Sequence, residues 1–184
     1  MIGRRTLVTC AIALSFVPRD AWCQDNPAAI RPKEGDWLVR AGDATGKPLT
    51  PDDIADAALG GPPATAWAMD PRDKTIRSGT RLNGLVLLKF DTARLAPDTR
   101  SRAAGGVVAY TSICPHNGCD ATDWVADEQM LSCPCHFSKF DPRDDAKVVD
   151  GPAPRMLPAL PLKLVDGKLV VAGSFTSRVG FEAP

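Results

Sequence analysis

Hydrophobic residues in this chain come in short runs, each closed off by glycine, proline or charged residues. Residues 37–40 (WLVR), 65–69 (TAWAM), 85–90 (LVLLKF), 106–113 (GVVAYTSI) and 130–133 (MLSC) are rich in leucine, β-branched and aromatic side chains and predict strands. LKLVDGKLVVAG, at 162–173, alternates apolar and polar positions around Asp166-Gly167, the pattern of a hairpin with a two-residue turn. Only GKPLTPDDIADAALGG, 46–61, predicts a helix. Thr50 can cap it, Pro51 suits the first helical position, Asp52 and Asp53 favour the positive end of the dipole, and Gly60-Gly61 stops it. TARLAPDTRSRAAGG, 92–106, reads as an exposed insertion, and the tail 174–184 carries no pattern. With no repeat and no heptad, the pattern predicts an all-β domain with one short helix.

Length and charge narrow the choice of function. A chain of 184 residues suits one domain with a real core. Its 22 basic residues balance 22 acidic ones and form no long run, so the basic footprint of a nucleic-acid binder is missing. The start, MIGRRTLVTCAIALSFV, has basic Arg4 and Arg5 and then an apolar run from Leu7 to Val17. That run is shorter than the ~20 residues a bilayer span needs, so residues 1–23 are expected to be an export signal. The paired arginines point to the twin-arginine route and hence to the periplasm. An uncleaved leader would be the only membrane contact. QDNPAAIRPKE, 24–34, reads as a polar linker, leaving 35–184 as the domain.

Cysteine placement changes the picture most. Cys10 and Cys23 fall within or at the end of the leader. Cys114, Cys119, Cys133 and Cys135 lie within 22 residues of one another, together with His116 and His136, the two histidines of the chain. CPHNGC at 114–119 and CPCHFS at 133–138 each offer a Cys-plus-His pair from a single turn: Cys114 with His116, and Cys133 with His136. That is metal-binding chemistry. A structural zinc site is one reading, although Cys-x-His fits zinc ribbons poorly. A thiol redox pair is another, although Cys133-x-Cys135 lacks the two-residue gap and the βαβ setting. Met69 and Met156 cannot complete a copper site once both histidines are committed, and Tyr110 and Trp124 read as core or rim residues.

The series C-P-H-x-G-C, thirteen residues, C-P-C-H-x-S and a later G-P-A-P resembles the Rieske iron–sulfur family over about residues 107–172. The resemblance implies a Rieske fold of antiparallel sheets with a small cluster-binding subdomain at about 110–155, carrying one [2Fe–2S] cluster. It implies that Cys114 and Cys133 hold one iron, that His116 and His136 hold the other, and that Cys119 and Cys135 form a disulfide. Ser138 would donate its hydroxyl to a bridging sulfide, and Gly151, Pro152, Ala153 and Pro154 would form the loop covering the cluster. Two imidazoles in place of two thiolates leave such a cluster neutral when oxidised and singly negative when reduced. Rieske centres as a class therefore lie at about −150 to +300 mV, against about −400 mV for plant-type ferredoxins. The implied role is electron transfer, with no catalytic residue or substrate site of the chain's own.

Within the family, Cys119 and Cys135 argue against the aromatic-ring dioxygenase type, which lacks that pair. The quinol-oxidising subunit of bc1-type complexes has it, but carries Leu in place of Asn117 and Gly-Ser-x-Tyr in place of Phe137-Ser138-Lys139-Phe140. The loops are more similar to the small subunit of arsenite oxidase, which has VAY before the first loop and CPCHF-[ST]-x-FD in the second. The partners implied are a catalytic oxidoreductase subunit or a quinol-oxidising complex as donor, and a cytochrome c or copper protein as acceptor.

Overall fold

The computed structural model describes residues 26–181, so the expected leader lies outside the described residues. The fold is all-β, with two antiparallel sheets and, among the described residues, a single α-helix. The larger sheet holds β1 (Trp37–Arg40), β2 (Ala64–Met69), β3 (Leu85–Lys89), β4 (Val107–Thr111), β9 (Leu162–Val165) and β10 (Lys168–Val171), in the order β4-β3-β2-β1-β10-β9. Residues 158–160, just before β9, lie along β4: Thr111 N donates to Pro158 O at 3.0 Å and Leu160 N to Ala109 O at 2.9 Å. The sheet thus closes on itself, which removes its two open edges. The hairpin expected at Asp166-Gly167 joins β9 to β10, with φ of 50° and 75° at the two turn residues.

The smaller sheet holds β5 (Asp123–Val125), β6 (Met130–Ser132), β7 (Lys139–Asp141) and β8 (Lys147–Asp150), in sequence order. β3 and β4 explain how the two sheets join. Side chains alternate across a strand, and here both faces are buried, which is why LVLL and VVAY read as unbroken apolar runs. Leu85, Leu87, Val107 and Ala109 face a core inside the closed sheet with Leu38, Leu160 and Leu169. Val86, Leu88, Val108 and Tyr110 face a second core with Leu131, Phe140 and Leu157 of the smaller sheet and its loops. Each fully buried leucine contributes about 1.5–3 kcal/mol. Tyr110, a core residue as expected, donates its hydroxyl to Pro142 O at 2.7 Å, and burial pushes its phenol well above the usual range.

Two sequence expectations need correction. The segment 46–61 forms no α-helix; it makes two separate 3-10 turns, Pro51–Asp53 and Ala57–Leu59. The start is as expected, with the Asp53 carboxylate accepting from Thr50 N at 2.8 Å. Ile54, however, is buried in the core of the closed sheet, and Ala57 in the core under the smaller sheet. One continuous helix would place residues i and i+3 on the same face, so serving two cores breaks it. The helix is instead α1, Pro97–Arg102, inside the stretch expected to be an exposed insertion. That stretch clamps the β7–β8 turn: Ala96 N donates to Arg143 O at 2.9 Å, Asp145 N donates to Thr99 Oγ1 at 2.8 Å, and Arg102 pairs with Asp145. Among the described residues no helix is long and apolar enough to cross a membrane.

Candidate metal centre

β4 leads directly into the first loop, Cys114–Cys119, and β6 into the second, Cys133–Ser138. The two loops have the same backbone. Cys114 N donates to Cys119 O at 2.8 Å and Gly118 N to Cys114 O at 3.0 Å. At matching positions Cys133 N donates to Ser138 O at 2.9 Å and Phe137 N to Cys133 O at 2.9 Å. The flanking residues pair in matching register, Ile113 with Asp120 and Ser132 with Lys139. The fifth residue of each loop turns left-handed, with φ of 73° at Gly118 and 58° at Phe137. Each turn thus presents its first cysteine inward in the same way.

Cys114 and Cys133 are buried and free, and both belong to the core shared by the two sheets. Burial, with a further contribution from the neighbouring Cys133 thiol, pushes the Cys114 thiol up to about 11. A positive metal is the kind of charge that would make it a thiolate. His116 and His136 project from the same two turns, with ring centroids 4.6 Å apart and planes nearly perpendicular. Nδ1 of His116 is buried with no hydrogen-bond partner, a cost that a bound metal would relieve. His136 is exposed and His116 half-buried, while both thiols are buried, so the imidazoles lie on the more open side of the site and the thiols on its inner side.

The two remaining cysteines, Cys119 and Cys135, are joined in a disulfide with Cα atoms 6.5 Å apart. The sulfurs of Cys119, Cys133 and Cys135 lie within 4.8 Å of one another. With two of the three in a disulfide, that trio is not a metal site in its own right. Ser138 is fully buried, and its hydroxyl oxygen accepts from Ala153 N at 3.1 Å. Its proton is thereby left to point at another acceptor. Gly151-Pro152-Ala153-Pro154 packs on the second loop, and a Cβ at Gly151 would sit 2.5 Å from Ser138 Cα, so only glycine allows the approach. The donor set of two buried thiols, two imidazoles and a poised hydroxyl fits a two-iron cluster.

Two residues meet the first loop from distant parts of the chain, Arg81 and Phe181, and Arg155 holds the second of them through its neighbour Gly180. Arg81 donates to Gly118 O at 3.0 Å and pairs with exposed Asp120 at 3.2 Å. Phe181, in the patternless tail, lies over Gly118, and Arg155 donates to Gly180 O at 2.5 Å. No local sequence signal marks these residues, because each acts through chain distant in sequence. Trp124 is a rim residue as expected, tilted against Phe90 with ring centroids 6.4 Å apart.

The sequence model of the Rieske [2Fe-2S] domain matches residues 78–161. A protein of Haloferax mediterranei, described as a respiratory nitrate reductase Rieske subunit, is 45% identical over 76 residues, which cover 41% of this chain and 34% of that protein. The cytochrome bc1 complex Rieske iron-sulfur subunit of Streptomyces lividans is 30% identical over 138 residues, covering 74% of this chain and 80% of that subunit. The chain spans 18% to 54% of the length of the other curated relatives compared. The soluble domain of Rieske protein II from Sulfolobus acidocaldarius is 24% identical with a TM-score of 0.38, over 52% of this chain and 66% of that one. By its sequence match along most of a relative's length, the chain belongs to the Rieske [2Fe-2S] family of electron-transfer proteins.

Proposed function

We propose that Cys114 and Cys133 ligate one iron of the cluster and His116 and His136 the other, and that the chain relays single electrons as part of an exported oxidoreductase complex. The observation that carries this is the pair of matching turns, which brings two buried thiols and two imidazoles to one place. When bound, the cluster supplies a one-electron couple between a neutral and a singly negative form. Cys114 and Cys133 would hold it from within the core. Ser138 would stabilise the added negative charge through its hydroxyl proton, and Ala153 N–H fixes that hydroxyl in place. The disulfide ties the two turns together, and the Gly151–Pro154 loop closes over Ser138, which is fully buried. On this reading residues 110–155 are the cluster-binding subdomain, 1–23 the twin-arginine leader, 24–34 the linker, and the setting is the periplasm.

The donor would be the catalytic subunit of an oxidoreductase of the arsenite-oxidase type, and the acceptor a cytochrome c or copper protein. Asn117 and Phe137 support that choice over a quinol-oxidising subunit, because both replace residues typical of the latter. A second reading, as the Rieske subunit of a bc1-type complex, is favoured by the relative from Streptomyces lividans. Isolating the native complex under mild conditions separates them. A molybdenum-containing partner that reduces the cluster when given its substrate is expected. A cytochrome b partner and quinol-dependent reduction would overturn the first reading in favour of the second.

A further inference from the structure

The tail beyond the last strand takes an unexpected course. It starts on the closed sheet, where Thr176 N donates to Ala159 O at 2.9 Å and Thr176 Oγ1 accepts from Ala159 N at 2.9 Å. It then buries Val179 and reaches Gly180, whose carbonyl accepts from Arg155 at 2.5 Å. Arg155 directly follows the Gly151–Pro154 loop, so the tail is fastened to the covering loop at that point. One residue further on, Phe181 places its ring edge against the first loop: a Cβ at Gly118 would lie 2.8 and 2.9 Å from Phe181 Cδ1 and Cε1. Arg81 holds the carbonyl of the same glycine from its own side, at 3.0 Å. The Gly118 peptide is therefore pinned between a guanidinium and an aromatic ring, both supplied from far along the chain. Phe181 itself is 44% exposed, so burial of the ring alone is a weak reason for its position.

We propose that residues 179–181 form a strap across the first loop, with Phe181 as a positioning residue that excludes water from the His116-bearing turn and thereby tunes the cluster's reduction potential. This rests on the ligand assignment above. The sign follows from charge. Reduction adds a negative charge, water stabilises charge, and excluding water therefore holds the potential down. Gly151–Pro154 covers the second loop at Ser138, and the strap covers the first at Gly118.

The test uses the full chain loaded with its cluster, titrated with a redox mediator set and followed by EPR. Phe181→Ala is expected to raise the ratio of reduced to oxidised cluster about threefold at fixed ambient potential, an upward shift of about 28 mV at 59 mV per tenfold for one electron. Phe181→Leu, which keeps most of the bulk, should stay close to wild type. Gly118→Ala should disturb the potential in the wild-type background and disturb it less alongside Phe181→Ala, because the clash with the ring is gone. Amide hydrogen exchange over residues 114–119 should quicken in Phe181→Ala and leave residues 133–138 unchanged. A potential that Phe181→Ala leaves unchanged, or lowers, overturns the strap. Wild-type protein that binds neither iron nor sulfide overturns the ligand assignment itself, which is a different failure.

Discussion

The two loops share one backbone and part company at the fifth residue. In the first, a left-handed φ of 73° falls on Gly118, buried beneath Phe181. In the second, a left-handed φ of 58° falls on Phe137, whose side chain is 71% exposed. Left-handed backbone costs a non-glycine residue roughly 1–2 kcal/mol, so the second loop carries a strain that the first avoids. The hydrogen bonds that hold each cysteine in place depend only on the backbone. The fifth side chain is free to vary and follows what faces it, a tail in one loop and solvent in the other. The histidine is offset too, at the third residue in the first loop and the fourth in the second. That offset brings two imidazoles from matching turns to the same open edge.

The equivalence of the loops can be broken by substitution. Cys114→Ser and Cys133→Ser occupy the same place in each turn, so both should abolish the cluster, with iron and acid-labile sulfide near zero. Retention in one variant and not the other would end the equivalence. Next in size is the link between the loops. Replacing Cys119 and Cys135 by serine frees a sequence separation of 16, and chain-entropy arguments put the loss at about 3 kcal/mol. Thermal melts without reductant should show it, and a melting temperature equal to wild type would remove the disulfide from the account.

Ser138→Ala acts on the second loop alone. It strands the Ala153 N–H, at about 1–3 kcal/mol, and removes a donor that favours the reduced form, so the potential should fall. The smallest effect compares the fifth residues directly. Phe137→Gly should relieve strain and stabilise the domain by up to about 1 kcal/mol, leaving the cluster spectrum intact. Gly118→Ala, at the same backbone position, should destabilise it in denaturant titrations. Matching signs for the two would contradict the shared-backbone account.

The chemistry was legible because it is local. All four proposed donors, the disulfide cysteines and Ser138 fall in two short motifs, and the turn backbone is set within each. The strands were legible for the same reason, since LVLL and VVAY declare burial on both faces without a partner being named. The helix was misplaced because Thr50, Pro51 and Asp53 signal a helical start, while the split of Ile54 and Ala57 between two cores is a tertiary fact. The stretch 92–106 reads as an exposed insertion because Ala96, Thr99 and Arg102 find their partners only once Arg143 and Asp145 are brought alongside. Phe181 and Arg81 were invisible for that reason too: nothing near them in sequence says that they meet the first loop, or that Arg155 meets Gly180.

The central claim is that the site is divided, with thiolates inward and imidazoles outward, one of each from either turn. His116 and His136 are the chain's two histidines, so isotopic labelling of histidine nitrogen marks these two residues and no others. Pulsed EPR of the reduced, histidine-labelled protein measures the claim directly. The account predicts strong couplings from two nitrogens, and the loss of one of them in His116→Cys and in His136→Cys, provided each variant keeps a cluster. A reduced cluster with no coupled histidine nitrogen would contradict it.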